Sequence, residues 1–190
     1  MSHKFVSDSN FHLLLNKIDH EISEAARQKG CSYCGHSLHQ ADYPRSPAGL
    51  PAEFREHYNE RHSLCCDTCR KRTTPPSVRF FGRRWFPAPL FVLISILTIG
   101  VNERRLSQVK RHFGISVSES TWKRWRRWWR ELFLKTPFWQ QAKGHVLIPI
   151  EETKSIPRAL LSLFEGGLEN KMRHLLKFLS PLSTSNLRAI

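Results

Sequence analysis

The sequence predicts a mainly α-helical fold with one small β ribbon, the ribbon followed by a helix-turn-helix unit. Three observations lead there. Two C-x2-C pairs stand at Cys31/Cys34 and Cys66/Cys69. A short helical pattern, a glycine and a longer basic helical pattern run through residues 106–134. Between these regions lies an apolar run, residues 89–101, that reads as a buried helix.

In chain order, residues 1–30 form an N-terminal helix. Ser9 stands where a cap belongs, Phe11, Leu14, Leu15, Ile18, Ile22 and Ala25 share a face, and Gly30 ends the pattern. Residues 31–84 form the ribbon. Two residues between cysteines let a tight turn aim both thiolates at one ion, and two such knuckles complete a tetrahedron around zinc. The expected cofactor is one structural Zn2+ on Cys31, Cys34, Cys66 and Cys69. The knuckles are 31 residues apart, and "YPRSPAGLP" between them reads as an inserted loop. Cys65 competes with Cys66 but lacks the x2 spacing to Cys69; His36 and His62 read as ordinary surface histidines. Four paired cysteines fit metal binding in a reducing compartment better than a disulfide framework.

Directly after the second knuckle comes "RKRTTPPSVRFFGRR", with six basic residues and no acid. In a ribbon these would cluster on one surface, which makes Arg70, Lys71, Arg72, Arg83 and Arg84 candidate nucleic-acid contacts. Charge supports such a partner. The chain of 190 residues carries a formal net charge of +14. Residues 1–30 sum to zero, residues 31–150 carry +12 and the last forty +2, so the polyanion-binding surface belongs in the middle.

Residues 85–136 hold the apolar helix, a short helix over residues 106–113, the break at Gly114, and "TWKRWRRWWREL". In this last stretch Trp122, Trp125, Trp129 and Leu132 recur at helical spacing, and the basic residues take the opposite side. Trp128 falls off the stripe. The tryptophans are expected to seat the helix on its neighbours. A helix-turn-helix places the start of its second helix at base edges and leaves later residues for phosphates. Ser118, Glu119, Ser120, Thr121, Lys123 and Arg124 hold the first positions; Arg126, Arg127 and Arg130 hold the second. Residues 137–190 follow, with "HVLIPIEE" a short strand and two amphipathic helices around Gly166 and Gly167.

The order of these parts resembles the N-terminal head of zinc-ribbon insertion-sequence transposases: CxxC, a second CxxC, "CRKRTTPPSVRF", an apolar helix, then "LSQVKRHFGISVSESTWKRWRRW". The likeness covers about half the chain. It implies that ribbon and helix-turn-helix bind the terminal repeats of a mobile element, while an RNase H-like domain with acidic metal ligands does the chemistry. Here 57 residues follow Phe133, fewer than that domain needs, and only Glu151 or Glu152 stands near the place of its first acid. Residues 137–190 are then a remnant of that domain or an oligomerisation element.

The expected function is therefore zinc-dependent, sequence-specific binding of double-stranded DNA, in transposition or transcriptional regulation, without catalysis by this chain. A split transposase completed by a second polypeptide is the enzymatic alternative, and a protein-binding adaptor is the third. The expected partners are duplex DNA and either a catalytic transposase chain or a second copy, with no small-molecule substrate. The N-terminus lacks a secretory h-region and the apolar run of thirteen residues is shorter than the about 20 a bilayer needs, so a cytoplasmic, nucleoid-associated protein is expected.

Overall fold

The computed structural model describes residues 7–50, 52–81, 86–97, 107, 117–146 and 155–184. Helix α1, Ser9–Lys29, starts one residue before the expected place: Asp8, not Ser9, is the N-cap, its carboxylate accepting the Asn10 N–H at 2.9 Å. Gly30 ends the helix with φ 74, donating to the Arg27 carbonyl. A Cβ at Gly30 would stand 3.0 Å from the Gly35 carbonyl oxygen, so glycine is required here for space as well as conformation.

The buried face of α1 is less apolar than its sequence pattern. Phe11, Leu15 and Ile18 are buried, but so are His12, Asp19 and Ser23, while Ala25 is exposed. The reason is a set of polar partners from residues 58–79. Asp19 accepts the Val78 N–H at 2.7 Å and Arg79 Nε at 2.8 Å, and it also accepts the Ser77 hydroxyl. His12 Nδ1 lies 2.8 Å from the Tyr58 hydroxyl.

The cysteine region builds two small antiparallel sheets. Strands β1 (Leu38–Gln40), β4 (Leu64–Cys66) and β5 (Arg72–Thr73) lie in the order β1-β4-β5. Between them in sequence, β2 (Tyr43–Pro44) pairs with β3 (Glu60–Arg61). Within "YPRSPAGLP", Tyr43–Pro44 belong to β2 and residues 45–50 carry neither helix nor strand, as expected of a loop. A 3-10 helix, Ala52–Tyr58, comes after it, and its Phe54 and Tyr58 are buried in the main core with Phe11 and Leu15 of α1.

Helix α2, Ala88–Leu97, matches the expected buried helix, with Pro89 in its first turn, where a missing N–H is tolerated. Residues 88–94 are all buried. Helix α3, Glu119–Arg127, crosses it with the tryptophans inward. Phe91 of α2 lies within 5.1 Å of Trp125 and 5.6 Å of both Trp128 and Trp129, measured between ring centroids.

After Arg127 the chain departs from a regular α-helix. Residues Trp128–Leu132 form a π-helical turn and Phe133–Lys135 a 3-10 turn. The wider turn changes the angular step, so adjacent Trp128 and Trp129 are both buried and Phe133 follows them inward. Trp128, off the α-helical stripe in sequence, is only 1 % exposed. Helix α4 (Pro137–Ala142) adds Trp139 to the same core. The expected C-terminal pair follows as α5 (Ile156–Ser162) and α6 (Leu168–Leu179), the latter burying Met172, Leu175, Leu176 and Leu179.

Among the described residues no helix is long and apolar enough to cross a membrane. All but residue 107 of the expected helix over residues 106–113, the break at Gly114, Arg83, Arg84, most of the expected strand at "HVLIPIEE" and the Glu151/Glu152 pair lie outside the described residues.

Candidate functional site

The four cysteines of the two C-x2-C pairs converge. Their sulfur atoms all lie within 4.8 Å of one another. Cys31 Sγ is 3.6 Å from Cys69 Sγ and Cys34 Sγ is 3.4 Å from Cys66 Sγ. A disulfide needs about 2.05 Å, whereas a tetrahedral ion with about 2.3 Å bonds to sulfur spaces its ligands by about 3.8 Å. The cluster therefore has the dimensions of a four-thiolate metal site. Cys31 and Cys66 are buried and the other two are half-buried, so the site is closed and suited to holding structure.

Both knuckles use the same backbone device. The Cys31 N–H donates to the His36 carbonyl at 2.9 Å, and the Cys66 N–H donates to the Lys71 carbonyl at 3.0 Å, each five residues on. The residue after the second cysteine of each pair is in the left-handed region, Gly35 with φ 76 and Arg70 with φ 57. Arg70 is the one described non-glycine residue there. The strand pleat selects Cys66 over Cys65. Cys66 pairs across the sheet with Leu38 and shares its small core, whereas Cys65 faces His39 and Arg72.

The electrostatics of the cluster are compatible with a bound cation. Backbone N–H groups of Tyr33 and then Cys34 draw the Cys31 thiol down to about 7, against burial. The Lys71 amide acts in the same direction on Cys69, but burial and the three neighbouring sulfurs outweigh it and push Cys69 up to about 12. Cys34 is likewise raised: the His36 amide lowers it, and burial together with Cys66 and Cys31 outweighs that effect. Four thiolates cannot share this volume without a positive ion between them.

His36 and His62 do not join the cluster. His36 is exposed and its Nδ1 bonds the Cys34 carbonyl at 2.9 Å. His62 is not a surface histidine: its side chain is 13 % exposed, and Nδ1 lies 3.0 Å from Asp42 Oδ2. Asp42 also accepts the Ser63 N–H at 2.8 Å. Burial opposes ionisation of Asp42, but the Ser63 amide and His62 prevail, and its carboxyl is lowered.

The basic candidates separate into three groups. Arg70, Lys71 and Arg72 beside the second knuckle are exposed, as expected. Arg79 of the same run is not: it is 2 % exposed and ion-paired to Asp19, so the run does not present all its charge on one surface. The third group is the helix face. Lys123, Arg124, Arg127 and Arg130 are exposed and Arg126 is half-buried. Lys123 reaches Glu119 at 2.8 Å and Arg127 reaches Glu131 at 2.9 Å, both exposed i,i+4 pairs.

At the start of α3, Ser118 is the N-cap, its hydroxyl accepting the Thr121 N–H at 3.2 Å. Thr121 is buried, and its hydroxyl accepts from Ser118 and from Arg124. Thr121 is 9 % exposed and its hydroxyl is engaged, so little of it is left to meet a base edge. Ser120 remains exposed beside Lys123.

No protein-family model matches the chain, and neither a curated protein nor a solved structure matches it.

Proposed function

We propose that the protein is a zinc-stabilised, sequence-specific binder of double-stranded DNA, derived from the recognition head of a transposase and acting in transposition or transcriptional regulation. One observation carries this reading: the two-sided segment from Glu119 to Leu132. Its indoles fill the core, while Lys123, Arg124, Arg127 and Arg130 stand in solvent. A helix held this rigidly from behind can offer a fixed row of cations to a phosphate backbone.

The two exposed ion pairs do not oppose the proposal. Such pairs are worth about 0–1 kcal/mol, so exchanging Glu119 or Glu131 for a phosphate costs little. In this reading Arg126, Arg127 and Arg130 contact phosphates, and Ser120, Lys123 and Arg124 reach the bases. The exposed Arg70, Lys71 and Arg72 beside the second knuckle add a further basic surface.

The ion on Cys31, Cys34, Cys66 and Cys69 is proposed to be zinc, which favours closed tetrahedral four-thiolate sites. Its role is to hold the ribbon together. The chain is proposed to bind without cutting, so that any strand chemistry belongs to a partner chain.

The test is selection of bound sequences from a random duplex pool, with and without chelator. Enrichment of a shared sequence that chelation abolishes is the expected result. A pool that stays random at low salt would overturn sequence-specific duplex binding.

A further inference from the structure

Tyr33 lies between the two cysteines of the first knuckle and is 64 % exposed. Only one other large hydrophobic side chain among the described residues is exposed, Leu13 at 40 %. A tyrosine ring displayed this openly, on a closed structural turn, fills no core. Lys71, from just beyond the second knuckle, places its ammonium 4.0 Å from the centroid of the Tyr33 ring. The contact joins the two knuckles across the cluster and fixes a cation against one face of the aromatic ring.

Around this pair the surface is cationic. Arg70 precedes Lys71 and is exposed, whereas Arg72 is held by the Ala41 carbonyl at 2.9 Å. The left-handed backbone at Arg70 is set by the knuckle, so the position of that side chain's base is set too. Asp67, the nearest acid in sequence, is occupied: it accepts the Thr68 hydroxyl at 3.0 Å and faces His39 at 3.7 Å.

From this geometry we infer that the knuckle tip is a stacking platform for an unpaired nucleobase, with Tyr33 as the platform and Lys71 and Arg70 as contacts for the adjoining phosphates. Every base has a π-face, and an aromatic ring beside cations recognises single-stranded nucleic acid through stacking and charge together. The platform is held in advance. Tyr33 stands two residues after Cys31 and directly before Cys34, so the turn that aims the two thiolates also fixes its backbone. Little ordering is then needed when a base arrives. A paired duplex offers no free face to such a ring except at an end or an opened junction. This site is therefore distinct in kind from the helix face assigned to the duplex, and it does not rest on that assignment.

The experiment uses the full chain carrying its metal and a short single-stranded oligonucleotide containing 2-aminopurine, whose fluorescence falls on stacking. A blunt-ended duplex of the same length is titrated in parallel by anisotropy. Wild-type protein should quench the single strand on binding. Tyr33→Ala should abolish the quench and weaken single-strand affinity by about tenfold or more, leaving duplex affinity within about twofold. Tyr33→Phe should keep both quench and affinity. Metal content and thermal melting of the variants, measured alongside, confirm an intact ribbon; because Tyr33 is exposed, both should be unchanged.

Single-strand binding that Tyr33→Ala leaves intact would overturn the platform, as would wild-type binding without quenching. Equal losses on single strand and duplex would reduce the knuckle to a general basic surface and also overturn it. A protein that captures duplex through α3 but ignores the single strand would sink this inference alone. One that quenches the single strand but selects no duplex would sink only the duplex reading.

Discussion

Asp19 and Arg79 form a buried ion pair, Oδ2 to Nε at 2.8 Å, with side chains 0 % and 2 % exposed. It ties the middle of α1 to the segment that leaves the ribbon. The guanidinium also donates to the carbonyls of His57 and Glu60, so its charge is shared among three acceptors. Removing one partner strands the other charge in the core. Arg79→Ala should therefore lower unfolding free energy by about 3–5 kcal/mol, read as a shift in denaturant midpoint. Arg130→Ala, on the exposed helix face, should change stability by less than about 0.5 kcal/mol. Equal effects would mean that the buried pair contributes nothing particular.

The metal centre makes a discriminating prediction between neighbours. Protein purified without added metal should contain about one equivalent of zinc. Cys66→Ser should lose the ion and loosen the ribbon, whereas Cys65→Ser should retain it. Iron in place of zinc would revise the metal's identity, and a fully folded metal-free wild-type protein would refute the site.

Arg70 offers a stabilising substitution. Its φ of 57 places a side chain in the left-handed region, where the equivalent residue of the first knuckle is Gly35. The left-handed conformation costs a non-glycine residue about 1–2 kcal/mol, partly offset by the greater chain entropy glycine loses on folding. Arg70→Gly should raise stability by about 1 kcal/mol in thermal or chemical melts, while weakening nucleic-acid binding through the lost charge. A destabilised Arg70→Gly protein would show that the arginine makes a compensating contact.

On the helix, Arg126→Ala and Arg130→Ala should each weaken duplex binding for every sequence. Each should also reduce the slope of log K against log salt by about one. Changes at Ser120 or Lys123 should alter which sequence is preferred. Trp125→Ala should instead cost about 3–5 kcal/mol of stability, because the indole packs between Phe86 and Phe91 at 5.1 Å from each. A Trp125→Ala protein that melts normally but no longer binds would place that indole on the ligand.

The chain alone should neither nick nor join DNA bearing a selected site, with magnesium or manganese present. Two-metal strand transfer needs several carboxylates converging on ions about 4 Å apart. On α3 and the following turn, Glu119 and Glu131 are engaged with Lys123 and Arg127. Activity that disappears in Glu151→Gln or Glu152→Gln would promote the split-enzyme reading instead.

What the sequence determined by itself is local and periodic. The x2 spacing of the cysteines named all four members of the cluster, because a tight turn has few ways to point two thiolates together. The apolar run from residue 89 marked a buried helix, Ala88–Leu97, and the three- and four-residue steps of Trp122, Trp125 and Trp129 marked a buried side, because helix geometry repeats. What only the tertiary structure decided depends on partners distant in sequence or on a change of helical step. Asp19 and Arg79 are 60 residues apart, and nothing local distinguishes Arg79 from the exposed Arg72. The strand Tyr43–Pro44 at the edge of the proline-rich loop pairs with Glu60–Arg61, a partner that local pattern does not name. Trp128 turned inward because a π-helical turn is tolerable where bulky neighbours can then pack, a choice made by Phe91 and Phe133. Thr121 went under the helix because its hydroxyl completes the cap formed with Ser118. Spacing along the chain names which residues can act together; burial, which belongs to the whole fold, decides which of them still face a partner.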